Sequence, residues 1–151
     1  MTNAIYFDMD GTIADLYGFD GWLDYLHAED VKPYAEARPL VDMDALNAIC
    51  EALAARGVVI GVISWTAMGG SREYNAAVRK AKRAWINEYL PCVSEFHVVK
   101  YGTPKHHVRK VERSILVDDN ADVREAWRGE TIDATKNILK ALDALMTDMV
   151  K

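Results

Sequence analysis

Residues 58–64 constrain this chain most. They read Val-Val-Ile-Gly-Val-Ile-Ser, an apolar and mostly β-branched run with no polar residue before Ser64. A strand with one wet face alternates apolar and polar side chains. A continuous run of this length suits a strand covered on both faces, the central position of a parallel sheet. Parallel neighbours cannot be joined by hairpins, so such a strand obliges the chain to supply crossovers, most simply helices.

The rest of the sequence answers that demand. Ala4 to Phe7, Phe96 to Val99, Ser114 to Val117 (SILV) and the short Thr131-Ile132 read as four further strands. Between them lie stretches with helical periodicity. Phe19, Trp22, Leu23 and Leu26 stand at i, i+3, i+4 and i+7. Leu46, Ile49, Cys50 and Leu53 mark a helix over 42–56, with Gly57 placed to cap it. A third helix, 72–89, carries Tyr74, Ala77, Val78, Ala81 and Trp85 on its core face and is closed off by Pro91; a fourth, 134–149, buries Ile138, Leu142, Leu145 and Met149. Residues 29–41 contain Pro33 and Pro39, show no period, and read as a connection. Alternation of this kind predicts an α/β domain with a mostly parallel five-stranded sheet and helices on both faces.

Composition narrows the class further. At 151 residues one core can bury roughly two-thirds of the unfolded surface, and no linker or repeat divides the chain, so residues 1–151 read as a single domain. With 18 basic and 23 acidic residues the net charge is −5, which argues against broad, charge-driven nucleic-acid binding. No apolar run approaches the ~20 residues of a membrane span. The first residues lack the pattern of a signal peptide, so a cytoplasmic location is expected. Cys50 and Cys92 lie far apart without metal-binding spacing and read as reduced structural residues.

In a parallel sheet, ligands bind beyond the carboxyl ends of the strands. Four strand ends deliver polar groups: Asp8-Met9-Asp10-Gly11-Thr12, Ser64-Trp65-Thr66, the stretch Lys100 to Lys105, and Asp118-Asp119-Asn120. Clustered carboxylates repel one another and resist desolvation, so Asp8, Asp10, Asp118 and Asp119 call for a cation. Mg²⁺, a hard ion that takes carboxylates, waters and phosphate oxygens, fits them. None of His27, His97, His106 and His107 is placed for a zinc site. With a metal assigned, Ser64 can donate to a phosphate and Lys105 can supply a point charge. Asp8 can attack phosphorus, and Asp10 can protonate the leaving oxygen and then activate water. Uncatalysed phosphate-monoester hydrolysis demands accelerations of up to ~10²¹, and a single acid or base supplies ~10²–10⁴, so the set has to act together.

DMDGT at 8–12, the strand-end Ser64, the lysine of TPK at 103–105 and the acidic pair of ILVDDN at 115–120 resemble, in order, the four motifs of the haloacid dehalogenase superfamily. The resemblance spans essentially the whole chain. It implies a Rossmann-like three-layer fold and a Mg²⁺-dependent phosphatase. It also implies that Asp8 is nucleophile and metal ligand, and that Asp10 is the acid/base with its backbone carbonyl on the metal. Ser64 and Lys105 would bind phosphate, and Asp118 or Asp119 would complete the metal shell. Lys105 is favoured over Lys100, and over Lys82 on the preceding helix, because Thr103-Pro104 offers a helix start that turns it toward the strand ends.

Members of that superfamily choose substrates largely with cap insertions, and here residues 13–41 leave room only for a minimal cap. An open site of this kind admits a nucleic-acid end or a protein, or a small phosphorylated molecule where a second copy of the chain covers it. The DMDG opening and LVDDN ending are similar to those of the 5′(3′)-deoxyribonucleotidase branch and of polynucleotide phosphatase domains. A phosphotransferase with the same intermediate and a non-catalytic phosphate-binding module are the alternatives. Arg72, Arg79, Lys80 and Arg83 read as a solvated face, and Tyr17, Trp22 and Tyr25 as packing residues.

Overall fold

A computed structural model describes residues 2–150. Its centre is a five-stranded, all-parallel sheet: β1 (Ala4–Phe7), β2 (Val59–Trp65), β3 (Glu95–Val99), β4 (Ser114–Asp118) and β5 (Glu130–Asp133), in spatial order β3-β2-β1-β4-β5. The α/β architecture with a parallel sheet expected from the alternation is present, and it is Rossmann-like. β1 lies in the middle and is buried along its whole length, because β2 and β4 pair with it on either side. The chain first builds outward from β1 to β3 and then returns to place β4 on the other side of β1. That reversal leaves a crevice at the carboxyl ends of β1, β2 and β4.

Among the described residues, six helices connect and cover the strands: α1 (Trp22–His27), α2 (Lys32–Glu36), α3 (Met43–Ala55), α4 (Arg72–Tyr89), α5 (Ala121–Ala126) and α6 (Ile138–Val150). One sheet face carries the larger core, in which Ile5, Phe7, Ile60, Val62 and Val117 meet Leu46 and Leu53 of α3, Trp85 of α4 and Leu142 of α6. The opposite face is thinner. There Ala4, Tyr6, Ile63 and Leu116 pack under Trp127 and the segment that follows a single 3₁₀ turn, Lys105–His107. A third cluster joins residues 13–41 to α4 through Leu16, Tyr34, Tyr74 and Val78. At roughly 1.5–3 kcal/mol for each large side chain buried, that cluster contributes substantially to holding residues 13–41 on α4.

Local differences from the sequence reading have local causes. The first helix starts at Trp22 rather than Phe19, because Gly21 takes a left-handed backbone (φ 74°) just before it. Residues 29–41 are not all connection: Pro33 sits in the first turn of α2, where its missing N–H costs nothing. α5 follows Asn120, whose side chain accepts from the amides of Asp122 and Val123. Its six residues are too few to show a period. The last helix begins at Ile138, not 134, since Asp133 diverts Thr135 into a turn and Asn137 accepts from Lys140 N–H in the first helical turn. On α4, Ala77 is exposed, and the core face instead includes Lys82. The 42–56 reading holds closely, with Asp42 capping α3 through Ala45 N–H.

Candidate functional site

Each acidic residue is delivered by a strand that stops at the sheet's edge. β1 ends at Phe7 and releases Asp8 and Asp10; β4 ends on Asp118 and releases Asp119. From Met9 to Ala14 the chain turns sharply, with the amides of Thr12, Ile13 and Ala14 all pointing to Met9 C=O. Gly11 is required in that turn. It holds φ 81°, and a Cβ there would overlap the Asp119 carboxylate. The Thr12 hydroxyl lies 3.0 Å from Asp8 Oδ2 and 3.2 Å from Asp119 Oδ1, tying the two strand ends together.

Asp8, Asp118 and Asp119 converge so closely that one oxygen from each lies within 4.8 Å of the others. Lys105 reaches into this group from the 3₁₀ turn. Its Nζ donates to Asp8 Oδ1 at 2.9 Å and to Asp118 Oδ2 at 2.8 Å, and the residue is 4% exposed. Burial alone would lower the lysine's pKa, but the two carboxylates more than offset it and hold the ammonium charged. Burial, reinforced by the Asp8 charge, raises Asp118 against the pull of Lys105, and it pushes Asp119 up to about 7. Lys100, the competing lysine, is exposed and outside the cleft wall.

The second lysine is one the sequence reading passed over. Lys82 of α4 is buried, and its Nζ lies 2.7 Å from Asp10 Oδ2, 2.7 Å from Ser64 Oγ and 2.8 Å from Trp65 C=O. A signal for it existed: Tyr74, Val78, Lys82 and Trp85 follow one helical stripe, so a lysine stood where an apolar residue belonged. Burial raises the Asp10 pKa and Lys82 opposes that rise. Ser64 is fully buried under Lys82 and lies outside the cleft wall, whereas Thr66 forms part of that wall. The Thr66 hydroxyl oxygen is buried with no hydrogen-bond partner.

Above the carboxylates opens a cleft of about 340 Å³. Asp8, Asp10, Lys105, Asp118 and Asp119 form its floor, and Tyr17, Trp22, Leu23, Trp65, Met68 and Tyr101 its upper walls. Tyr17, Leu23, Met68 and Tyr101 are four of the five large apolar side chains left exposed among the described residues, so the molecule's open apolar surface is concentrated at this mouth. Tyr17 is 54% exposed and is not simply a packing residue. Tyr25 faces another concavity. The basic residues of α4 take no part in the cleft. Arg79 donates to Val98 C=O, and Arg83 stacks on Phe96.

The donor set fits a divalent cation. Asp8, Asp118 and Asp119 offer three converging carboxylates, all hard oxygen donors, against one buried ammonium group, Lys105. Compared with protein-family models and with curated proteins, the chain finds no match.

Proposed function

We propose that this protein is a Mg²⁺-dependent phosphomonoester hydrolase of the haloacid dehalogenase type, acting through an aspartyl-phosphate on Asp8. The observation that carries the proposal is the convergence of Asp8, Asp10, Asp118, Asp119 and Lys105 on the floor of one cleft. Asp8, Asp118 and Asp119 would hold Mg²⁺, which when bound supplies positive charge to the phosphoryl oxygens.

In the first step a carboxylate oxygen of Asp8 attacks phosphorus. The bond from phosphorus to the leaving oxygen breaks, its electron pair goes to that oxygen, and Asp10 donates the proton it needs. In the second step Asp10 takes a proton from water as the water oxygen attacks phosphorus. The bond from phosphorus to Asp8 breaks, giving inorganic phosphate and the free carboxylate. Lys105, 2.9 Å from Asp8 Oδ1, places its charge beside the transferring group, and the unpaired Thr66 hydroxyl is suited to donate to a phosphoryl oxygen.

The ring-lined mouth supports a phosphate ester whose leaving group carries a flat ring, a nucleotide or a nucleotide at a nucleic-acid end. Base stacking on aromatic side chains contributes about 1–3 kcal/mol.

Purified protein is expected to release phosphate from an aryl phosphate with Mg²⁺, and to lose that activity with EDTA or as Asp8→Asn. Turnover that survives Asp8→Asn removes Asp8 as nucleophile. A nucleoside 5′-monophosphate should exceed a sugar phosphate in kcat/KM by about tenfold or more, as the stacking energy implies. Equal values would discard the ring-bearing leaving group.

A further inference from the structure

Of the two buried lysines, the reaction just described uses only Lys105. Lys82 is 1% exposed, and its ammonium group has three protons and three acceptors: Asp10 Oδ2, Ser64 Oγ and Trp65 C=O. It is saturated. No proton is left for a phosphate, and the residue is absent from the cleft wall.

Its presence is not explained by helix packing either. Desolvating an ammonium group costs several kcal/mol, and a well-packed apolar side chain at such a position commonly leaves a protein equally or more stable. What Lys82 does is hold Asp10. With Oδ2 engaged at 2.7 Å, the carboxyl plane is fixed, and among the described residues Oδ1 takes no hydrogen bond. Ser64 acts on the same group from below. Its Oγ accepts from Lys82, which keeps the lysine over Asp10, and full burial removes Ser64 from contact with substrate. The strand end thus divides its hydroxyls: Ser64 faces the lysine, and Thr66 stands in the cleft wall.

Resting on the phosphatase reading above, we propose that Lys82 and Ser64 are positioning residues for Asp10. They turn Oδ1 toward the bond that breaks, so that this oxygen gives the proton to the leaving group and later takes one from water. Ser64, on this view, does not bind phosphate.

The test uses kcat/KM, which covers every step through phosphorylation of Asp8, across phenyl phosphates of graded leaving-group basicity. An activated nitrophenolate departs with little help from an acid, whereas an unsubstituted phenolate depends on it. Lys82→Met and Ser64→Ala are therefore expected to lose about tenfold more on phenyl phosphate than on 4-nitrophenyl phosphate, within the range of general-acid contributions. KM for the nitrophenyl ester should be unchanged. Lys82→Arg, which keeps charge and donors, should recover part of the phenyl phosphate activity. If Lys82→Met does not fold, Ser64→Ala still decides, since it keeps the lysine's charge and removes only the hydroxyl that holds the ammonium group over Asp10. Equal losses on all esters, or a raised KM with an unchanged leaving-group dependence in Ser64→Ala, would overturn the proposal. Failure of the underlying reading looks different: the wild-type protein would show no turnover, or its turnover would survive Asp8→Asn, and the positioning role would fall with it.

Discussion

Thr66 holds a buried hydroxyl that no group among the described residues satisfies. A buried hydroxyl without a partner costs about 1–3 kcal/mol, and such a group stays where a ligand completes it. Thr66→Val keeps the shape and removes the orphan. In the absence of ligand it should leave the thermal midpoint unchanged or raised. Inhibition by inorganic phosphate should weaken by about tenfold or more, the value of a hydrogen bond to a charged group. A destabilised variant with unaltered phosphate inhibition would remove Thr66 from the site. Calorimetry and inhibition kinetics on the same preparation read both signs.

Between elements, the joint that matters is the one holding residues 13–41 to α4, because that segment carries Tyr17, Trp22 and Leu23 into the cleft wall. Glu29 makes that joint. Its carboxylate accepts from Ser71 N–H at 2.8 Å and Ser71 Oγ–H at 2.7 Å, at the helix N-terminus where negative charge is favoured. Tyr74 OH adds a bond to Asp30 C=O. The Ser71 hydroxyl and amide lower the Glu29 pKa. A carboxylate with a depressed folded pKa contributes fully above its unfolded value and loses that contribution as pH falls through the folded one. Hydrogen-exchange protection at the Ser71 amide should therefore decline below the ordinary glutamate range, near pH 4. In Glu29→Ala it should be low and independent of pH. Protection that is high and flat in both proteins would show that the apolar cluster alone seats residues 13–41.

Over the whole molecule the electrostatics point one way. Four of the 23 acidic residues, Asp8, Asp10, Asp118 and Asp119, gather at one cleft with the ammonium groups of Lys82 and Lys105 beside them. A cation bound only by the folded state stabilises it by mass action, about 2.7 kcal/mol at one hundred times its Kd. For a domain of this size that is a rise in thermal midpoint of about 5–10 °C. Mg²⁺ should produce the shift in wild type and much less of it in Asp119→Asn, read by calorimetry without any substrate. No shift at saturating Mg²⁺ would rule out the cation site. Among the described residues no helix is long and apolar enough to cross a membrane.

The parallel sheet was legible in the sequence because a doubly covered strand has to be apolar at every position, and that signature survives in one dimension. The strand ends were legible for the same reason, as the places where the apolar runs stop at Asp8, Ser64 and Asp118. Pairings between distant segments were not. Lys82 and Asp10 stand 72 positions apart, and they meet because α4, seated by Trp85 and Val78 in the two cores it joins, brings its buried face to the ends of β1 and β2. Packing there buries Ser64, leaves Thr66 in the cleft wall, and sets the rings of Tyr17 and Trp22 beside the carboxylates. Local propensity and burial act residue by residue and are written along the chain. Which charge neutralises which, and which hydroxyl reaches the cleft, depends on packing distances that only the assembled layers decide.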